Sequence, residues 1–422
     1  MANAPGAEAG EVDIEGRAAR VLDRRGQCPP SSVGNRGDAL DRAPGPGTVG
    51  AKHCTPVHAS HEWPVGRALG RWRTGRETVR AALFYAPGDV RLESYPDPHP
   101  GPGEVTVKIE RALTCGTDLK TYRRGHPTII QFTPTPFGHE FAGEIVAVGT
   151  GVDAGLWPVG TRVVAANSAP CHRCHFCRIG RESLCENLEY LNGAYAEYIT
   201  VPARIVDANL YAIPDDVPAT TAALTEPLAC AVHGIDASEI RVGDTVVVNG
   251  AGPIGLMFVR LATMRGARVI CCDLGAGRLA VARELGAVET VLVTPGLDQV
   301  AAVKFLTPEG RGADVAIEAV GLPEVWEMTV QMVRKGGTVN LFGGARSDTS
   351  CSIDTGWLHY GELTIKGVYH HTPAYVETAF RLLCDGSVPA APFLSGERPL
   401  DGVIEALEAM GRQEGIKYAI VP

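Results

Sequence analysis

Long apolar runs and clusters of basic residues are both missing from these 422 residues. No stretch approaches the roughly 18 uncharged apolar residues that a membrane-spanning helix needs. The N-terminus lacks the apolar core of a secretory signal, so a cytoplasmic location is expected. With 39 Lys and Arg against 48 Asp and Glu, the net charge is −9, which argues against nucleic acid as a partner. Aromatic residues are few, at 6%, beside 45% apolar and 21% charged residues; that is the composition of an ordinary globular protein long enough for two domains, each with its own core. Cysteine is present but unevenly placed. Four of the twelve crowd into 171–185, which points to metal rather than disulfides in a reducing compartment.

Residues 1–78 lack sustained periodicity of either helix or strand and are rich in Gly, Pro, Ala and Arg. Cys28, Cys54, His53, His58 and His61 lie there at spacings that match no compact metal site. The segment reads as a disordered or non-native extension, as if an alternative start lay at Val79. Its deletion is expected to leave folding and activity intact.

The chain is organised around Thr245–Asp273. Thr245–Val248 is a β-branched run of the kind buried on both faces of a sheet. Gly250-Ala251-Gly252-Pro253-Ile254-Gly255 follows as GxGxxG, then a helical pattern to Gly266, then the strand Val269–Cys272 and Asp273. This is a dinucleotide-binding βαβ unit. Gly250 allows the tight turn, Gly252 lets backbone approach a pyrophosphate, and Gly255 lets the helix pack close to the sheet. Asp273, about 20 residues on, supplies the acid that accepts from ribose hydroxyls and repels a 2′-phosphate. No cation follows before Arg278, so NAD is expected rather than NADP, and Arg278 could reach the adenosine ribose.

From Val79 to about Ala229 short strands alternate with Gly/Pro turns: Arg80–Phe84, Val90–Ser94, Glu104–Ile109, Phe141–Val148 and Arg162–Ala165. The pattern predicts a barrel-like β domain. Embedded in it are Thr114-Cys115-Gly116-Thr117-Asp118 and Gly138-His139-Glu140. Cys115, His139 and Glu140 offer a thiolate, an imidazole and a carboxylate, all acceptable to zinc, and three ligands leave the open position that a catalytic zinc needs. Cys171, Cys174, Cys177 and Cys185 are separated by two, two and seven residues. Tetrahedral thiolate coordination of a structural zinc explains that spacing, with His172 and His175 left to solvent. In Glu226-Pro227-Leu228-Ala229-Cys230-Ala231-Val232-His233-Gly234, Glu226 is either a fourth ligand, an acceptor near the metal, or an ordinary helix-start acid. His233 reads as structural.

These motifs, in this order over Val79–Pro422, resemble the zinc-dependent medium-chain dehydrogenase/reductase family, and within it the sorbitol (L-iditol)/threonine dehydrogenase branch. The resemblance implies an α/β fold: a GroES-like β-barrel catalytic domain at 79–229, a Rossmann doubly wound parallel sheet at 230–369, and a C-terminal return to the catalytic domain at 370–422. It implies Cys115, His139 and Glu140 as catalytic zinc ligands, with Glu226 able to coordinate in some states. Thr117 matches the hydroxyl that relays the substrate proton, and Asp118 the acid that orients His139. Lys120 departs from the pattern, because relatives often carry histidine there. A homo-oligomer, dimer or tetramer, is implied as well.

Beyond Cys230 six strands alternate with helices: Thr245–Val248, Arg268–Cys272, Thr290–Val293, Asp314–Glu318, Thr338–Phe342 and Leu363–Val368, with helices at 254–265, 277–285, 298–306 and 323–333. Val320 and Phe342 follow later strands, where the nicotinamide end should lie. A further helix is expected at about 373–384. His370-His371, at a strand exit, reads as a solvated pair more than as a lining of the cleft. The expected activity is zinc-dependent hydride transfer between a secondary alcohol (polyol, sugar alcohol or cyclitol) and NAD, with two zinc ions per chain. The rivals are threonine-type amino-alcohol oxidation and a non-catalytic NAD- or zinc-binding sensor.

Overall fold

The computed structural model describes residues 76–126 and 129–422, all within one compact unit, Trp72–Pro422. The expectation for 1–78 therefore falls almost wholly outside the described residues; the first described strand is Thr78–Ala86.

The N-terminal half, joined by two C-terminal strands, forms a mixed sheet that is antiparallel except where Leu394–Pro399 runs parallel to Lys417–Val421. Its strands run in the order Leu210–Ala212, Arg162–Ala165, Glu140–Val148, Val105–Leu113, Lys417–Val421 and Leu394–Pro399, with Tyr198–Val201 also paired to Val105–Leu113. Three-stranded pairing of Thr78–Ala86 with Asp89–Pro96 and Thr135–Pro136 covers part of it. The return of the C-terminus is thus a strand inserted into this sheet: Ala419 pairs with Leu113, which pairs on its other side with Glu140. Because side chains alternate along a strand, Lys417 shares a face with Ala419 and is delivered next to Glu140.

The other half is an all-parallel six-stranded sheet. Its order is Glu289–Leu292, Arg268–Asp273, Thr245–Asn249, Ala313–Glu318, Val333–Leu341 and Thr364–Gly367. This is the doubly wound order that reverses beside the first strand and opens a crevice at the strands' carboxyl ends. The β-branched run works as expected: Val246 and Val248 face one core, while Val247 faces the other. Helices form at Pro253–Met264, Ala276–Glu284, Gln299–Phe305, Pro323–Gln331 and Pro373–Cys384, each within about two residues of its sequence-based range. The fifth strand starts earlier than expected, at Val333, because Val333 already pairs with Ala313 before the Gly336-Gly337 irregularity.

The proposed boundary at 229/230 falls inside one helix, Thr225–Ala237. Glu226 lies in its first turn. Near its far end, a Cβ on Gly234 would come within 2.6 Å of the Phe258 ring, and Asn340 Nδ2 donates to the Gly234 carbonyl at 3.0 Å. One continuous core includes Leu113 and Ala142 of the barrel, Leu228 of this helix and Val246 of the parallel sheet. The helix therefore locks the barrel's chemistry to the nucleotide sheet. Among the described residues no helix is long and apolar enough to cross a membrane.

Candidate active site and metal centres

Cys115 caps the N-terminus of the helix Gly116–Arg124, and its Sγ accepts from the Thr117 amide at 3.4 Å. The preceding residue anchors it: the Thr114 hydroxyl accepts from the Tyr418 amide at 2.8 Å, and the Thr114 amide donates to the Tyr418 carbonyl at 3.0 Å. His139 and Glu140 stand where the strand Glu140–Val148 begins. Gly138, at φ +87, makes the preceding bend against the Tyr195 ring, where a Cβ would come within 2.6 Å. Side chains distant in sequence converge here. One ligand atom each from Cys115, His139 and Glu140 lies within 4.8 Å of the other two.

Supporting groups fix their orientation. His139 Nδ1 sits 2.9 Å from Asp118 Oδ1, and Tyr195 donates its hydroxyl to Asp118 Oδ2 at 2.5 Å. Holding Nδ1 in this way leaves Nε2 as the free ligand atom. Burial alone would push the His139 imidazolium down; the Asp118 and Cys115 charges outweigh it and hold it well above the usual histidine range. Thr117 is half-buried on the first turn of its helix, beside Cys115.

Glu140 is fully buried and meets a partner that sequence reasoning missed. Lys417 Nζ, also fully buried, lies 2.8 and 2.7 Å from its two carboxylate oxygens. Burial pushes the Glu140 carboxyl up to about 7, although Lys417 pulls the other way. The available signal was a single lysine opening an otherwise apolar strand, Lys417–Val421. Glu226 is also buried, and burial raises its carboxyl, with His139 and Lys417 opposing. The Cys230 thiol donates to Glu226 Oε1 at 3.8 Å.

His370-His371 departs from expectation. The pair is not solvated: His371 is buried and His370 half-buried, because the segment leaving the parallel sheet docks onto the barrel. His371 Nε2 approaches Asn167 Oδ1 at 3.0 Å and Glu226 Oε1 at 3.8 Å. His370 Nε2 pairs with Ser168 Oγ at 2.6 Å. Burial holds His370 down to about 3 and His371 well below its usual range. His233 is structural as expected, donating from Nδ1 to the His370 carbonyl at 2.8 Å and stacking on Tyr375.

The four-cysteine lobe closes as its spacing implies. One Sγ from each of Cys171, Cys174, Cys177 and Cys185 lies within 4.8 Å of the others. Backbone amides add to this: Cys171 N and Asn187 N donate to Cys185 Sγ at 3.2 and 3.4 Å. Amide donors, that of Arg173 first, bring the Cys171 thiol down to about 6, while burial pushes Cys177 up to about 12. His172 and His175 are exposed. The donor set, four sulfurs and no open position, suits a structural zinc. Replacing Cys174 by serine is expected to release one zinc per chain and make 171–187 the first site of limited proteolysis, while the other metal stays bound. Metal analysis and mass mapping of the fragments check it.

The glycine turn fits a dinucleotide. Gly250 adopts φ +110, and a Cβ there would press within 2.7 Å of Val320. A Cβ on Gly255 would come within 1.8 Å of the Gly250 carbonyl. Gly252, by contrast, faces open space, the room a pyrophosphate would occupy, and Pro253 starts the helix behind it with Ile254 following. Asp273 is held at the second strand's end. Its Oδ2 accepts from the Ala251 amide at 2.7 Å, and its Oδ1 from the Gly275 amide at 2.8 Å. Arg278 is otherwise engaged than expected: Nη2 donates to the Met410 and Gly415 carbonyls at 3.1 and 3.0 Å, so its guanidinium ties the C-terminal return to the parallel-sheet domain. Phe342 is packed edge-on against Phe258, which leaves its backbone rather than its ring for a ligand. Lys120 spans the crevice, with Nζ donating to the Val320 and Gly344 carbonyls at 3.3 Å each. A cavity of about 510 Å³ opens beyond the strand ends, lined by Trp326, Phe342, Gly344, Arg346 and Tyr369 among others.

Comparison with known proteins agrees with this geometry. Residues 101–215 match the alcohol dehydrogenase GroES-like domain, and 253–385 match the zinc-binding dehydrogenase domain. The sorbitol dehydrogenase of Halalkalibacterium halodurans is 32% identical over 345 residues, covering 79% of this chain and 96% of its own. The chain belongs to the zinc-dependent medium-chain dehydrogenase/reductase family. An L-threonine 3-dehydrogenase of Francisella tularensis subsp. novicida is 34% identical over 305 residues, 68% of this chain and 83% of that protein. Among solved structures, a zinc-binding dehydrogenase from Sinorhizobium meliloti 1021, with NADP bound, superposes with a TM-score of 0.75 at 30% identity, covering 82% of this chain and 100% of its own. This member of the family sits in its sorbitol/threonine dehydrogenase-like branch and is a zinc-dependent oxidoreductase that uses a nicotinamide cofactor.

Proposed function

We propose that this enzyme oxidises secondary alcohols of the polyol, sugar-alcohol or cyclitol class, reversibly and with NAD. The observation that carries the reading is the convergence of Cys115, His139 and Glu140 on one small volume, with Glu226 beside it and the crevice of the nucleotide sheet adjoining. In this reading Cys115, His139 and Glu140 hold the catalytic zinc and Glu226 accepts a hydrogen bond beside it or ligates in turn, while the four cysteines hold a second, structural ion. Zinc and the nicotinamide supply Lewis acidity and hydride acceptance when bound. The chain's own part is placement and charge. Asp118 and Tyr195 orient His139, Lys417 offsets the buried Glu140, and the Thr117 hydroxyl passes the alcohol's proton toward solvent. Gly250, Gly252, Pro253, Ile254 and Gly255 receive the pyrophosphate, Asp273 the ribose, and the backbone at Val320 and Phe342 the nicotinamide end. A barrel domain, a nucleotide domain, a cytoplasmic location and a homo-oligomeric state complete the reading.

The test is NADH formation on a panel of polyols, cyclitols, simple secondary alcohols and threonine, run with metal analysis. Turnover of the uncharged polyols with two zinc ions per chain is expected. Turnover of threonine alone would move the assignment to amino alcohols, and NAD and zinc binding without turnover would favour a sensor. Asp273 gives a second expectation. Asp273→Asn keeps an acceptor oxygen but removes the charge facing a 2′-phosphate, so the NADP-to-NAD ratio of kcat/KM should rise by about tenfold or more. An unchanged ratio would mean that the carboxylate does not read the ribose.

A further inference from the structure

We propose that Lys120 sets the enzyme's preference between the two redox forms of its coenzyme: its ammonium disfavours the oxidised, positively charged ring of NAD and favours the neutral ring of NADH. The inference rests on the nicotinamide-binding reading above, which assigns Lys120 no part, and goes beyond it.

Position comes first. Lys120 lies on the helix Gly116–Arg124, which begins at Cys115, and stands one turn beyond Thr117 on the same face. From there the half-buried side chain leaves its own domain. Nζ donates to the Val320 and Gly344 carbonyls at 3.3 Å each, across 200 and 224 residues. Those carbonyls belong to the turns that follow the parallel strands Ala313–Glu318 and Val333–Leu341. The two turns are fitted backbone to backbone. A Cβ on Gly321, which adopts φ +86, would come within 2.5 Å of the Gly344 carbonyl oxygen, and one on Gly343 within 2.4 Å of the Gly321 amide nitrogen. Glu318 Oε1 fastens the first turn further, accepting from the Val320 and Gly321 amides at 2.7 and 2.8 Å. The ammonium is thus seated on a preformed pair of acceptors, in the same backbone that is proposed to receive the nicotinamide end.

Charge decides what it does there. Both partners of Nζ are acceptors, which suits an ammonium with donors and no lone pair. Carbonyls solvate that charge without cancelling it. Glu318 and Cys115 act on it from further off and favour it, while burial and Arg124 oppose it and bring the amine below its usual range. The oxidised and reduced coenzymes share the adenosine, the pyrophosphate and both riboses. They differ at the ring, where a hydride, with its two electrons, turns a positive pyridinium into a neutral dihydropyridine. A fixed cation in this crevice therefore acts on the difference between the two forms, whereas the glycine turn and Asp273 act on what they share. Like charges several ångströms apart in a half-buried crevice repel enough to change the binding ratio by about tenfold. For a two-electron couple, a tenfold shift in that ratio raises the bound potential by about 30 mV. Lys120 thereby favours oxidation of the alcohol on the enzyme and slows the release of NADH.

The test is binding alone, on the full-length zinc-loaded enzyme without alcohol. Titration calorimetry gives the dissociation constants of NAD, NADH and ADP-ribose, which keeps the second ribose but lacks the nicotinamide. Lys120→Met should lower the ratio of the NAD constant to the NADH constant by about tenfold relative to the wild type, chiefly by tightening NAD, with ADP-ribose unchanged. Retained ADP-ribose binding also shows that the variant is folded. Lys120→Gln, neutral but still able to donate to a carbonyl, should behave like Lys120→Met, and Lys120→Arg should keep the wild-type ratio. A ratio that stays at the wild-type value in either neutral variant overturns the proposal and leaves the alcohol-oxidation reading standing. Equal change in the affinity of all three ligands does the same, and makes Lys120 a clasp between the domains and nothing more. Failure of the wild type to bind either NAD or NADH overturns the parent reading and this inference with it.

Discussion

Replacing Cys115 by alanine is expected to abolish alcohol oxidation while NAD still binds. In the proposed reading Cys115 is one of three converging ligand groups, and a thiolate there would help to balance the metal's charge. With only His139, Glu140 and the intermittent Glu226 left, a divalent ion should be lost at ordinary buffer concentrations, and with it the stabilisation of developing negative charge on the substrate oxygen. If that is about 4 kcal/mol or more, kcat falls by about a thousandfold or more. The nucleotide crevice is built by other elements, so NADH affinity by fluorescence should be close to wild type. Zinc per chain should fall by one. A variant that binds NAD normally and keeps full alcohol oxidation would end the assignment of this centre.

The second large effect concerns Lys417→Met. Glu140 and Lys417 are both fully buried and within 2.8 Å. Removing the ammonium strands a buried carboxylate, which costs about 3–5 kcal/mol in comparable cases. Metal-free protein should lose that much in urea unfolding, and zinc should restore part of it by supplying the missing positive charge. The double variant Lys417→Met with Glu140→Gln should be more stable than Lys417→Met alone, because the orphaned charge is gone. The pH dependence follows in sign. Glu140 binds its proton more tightly in the folded chain, at about 7 against an ordinary 4.5, so its contribution is fully present below about 4.5 and is lost as pH rises through 7. Without Lys417 the folded value rises further. Metal-free Lys417→Met should therefore keep losing stability at pH values where the wild type has levelled off. A flat difference between the two across this range would show that the pair is not coupled.

What could be read from the sequence and what could not divide along one line. Local spacing was legible. The four cysteines lie within one short segment, and Asp273 reaches the Ala251 amide of the glycine turn from the next strand of the same βαβ unit, 22 residues on, so their placement follows from spacing within a single motif. Groups set by long-range return of the chain were not. Lys417 reaches Glu140 across 277 residues, and His371 reaches Asn167 across 204. Adjacent histidines after a strand look like surface residues until the docking of their segment on the barrel is known. Arg278 was expected to reach the adenosine ribose, but its guanidinium answers to carbonyls at Met410 and Gly415, which no local pattern announces. The early start of the strand at Val333 was likewise hidden by its glycines.

Both oxygens of Asp273 are already engaged by the amides of Ala251 and Gly275 before any cofactor arrives. The carboxylate proposed to read the ribose thus also staples the glycine turn to the turn that follows its own strand. On the proposed preference for NAD, converting this enzyme to the phosphorylated coenzyme is thus a two-part engineering problem: deleting the charge would relax selectivity but would also free a loop that both coenzymes would need held in place. Redesign at this position would have to begin with a substitute fastening for that loop and only afterwards introduce a cation.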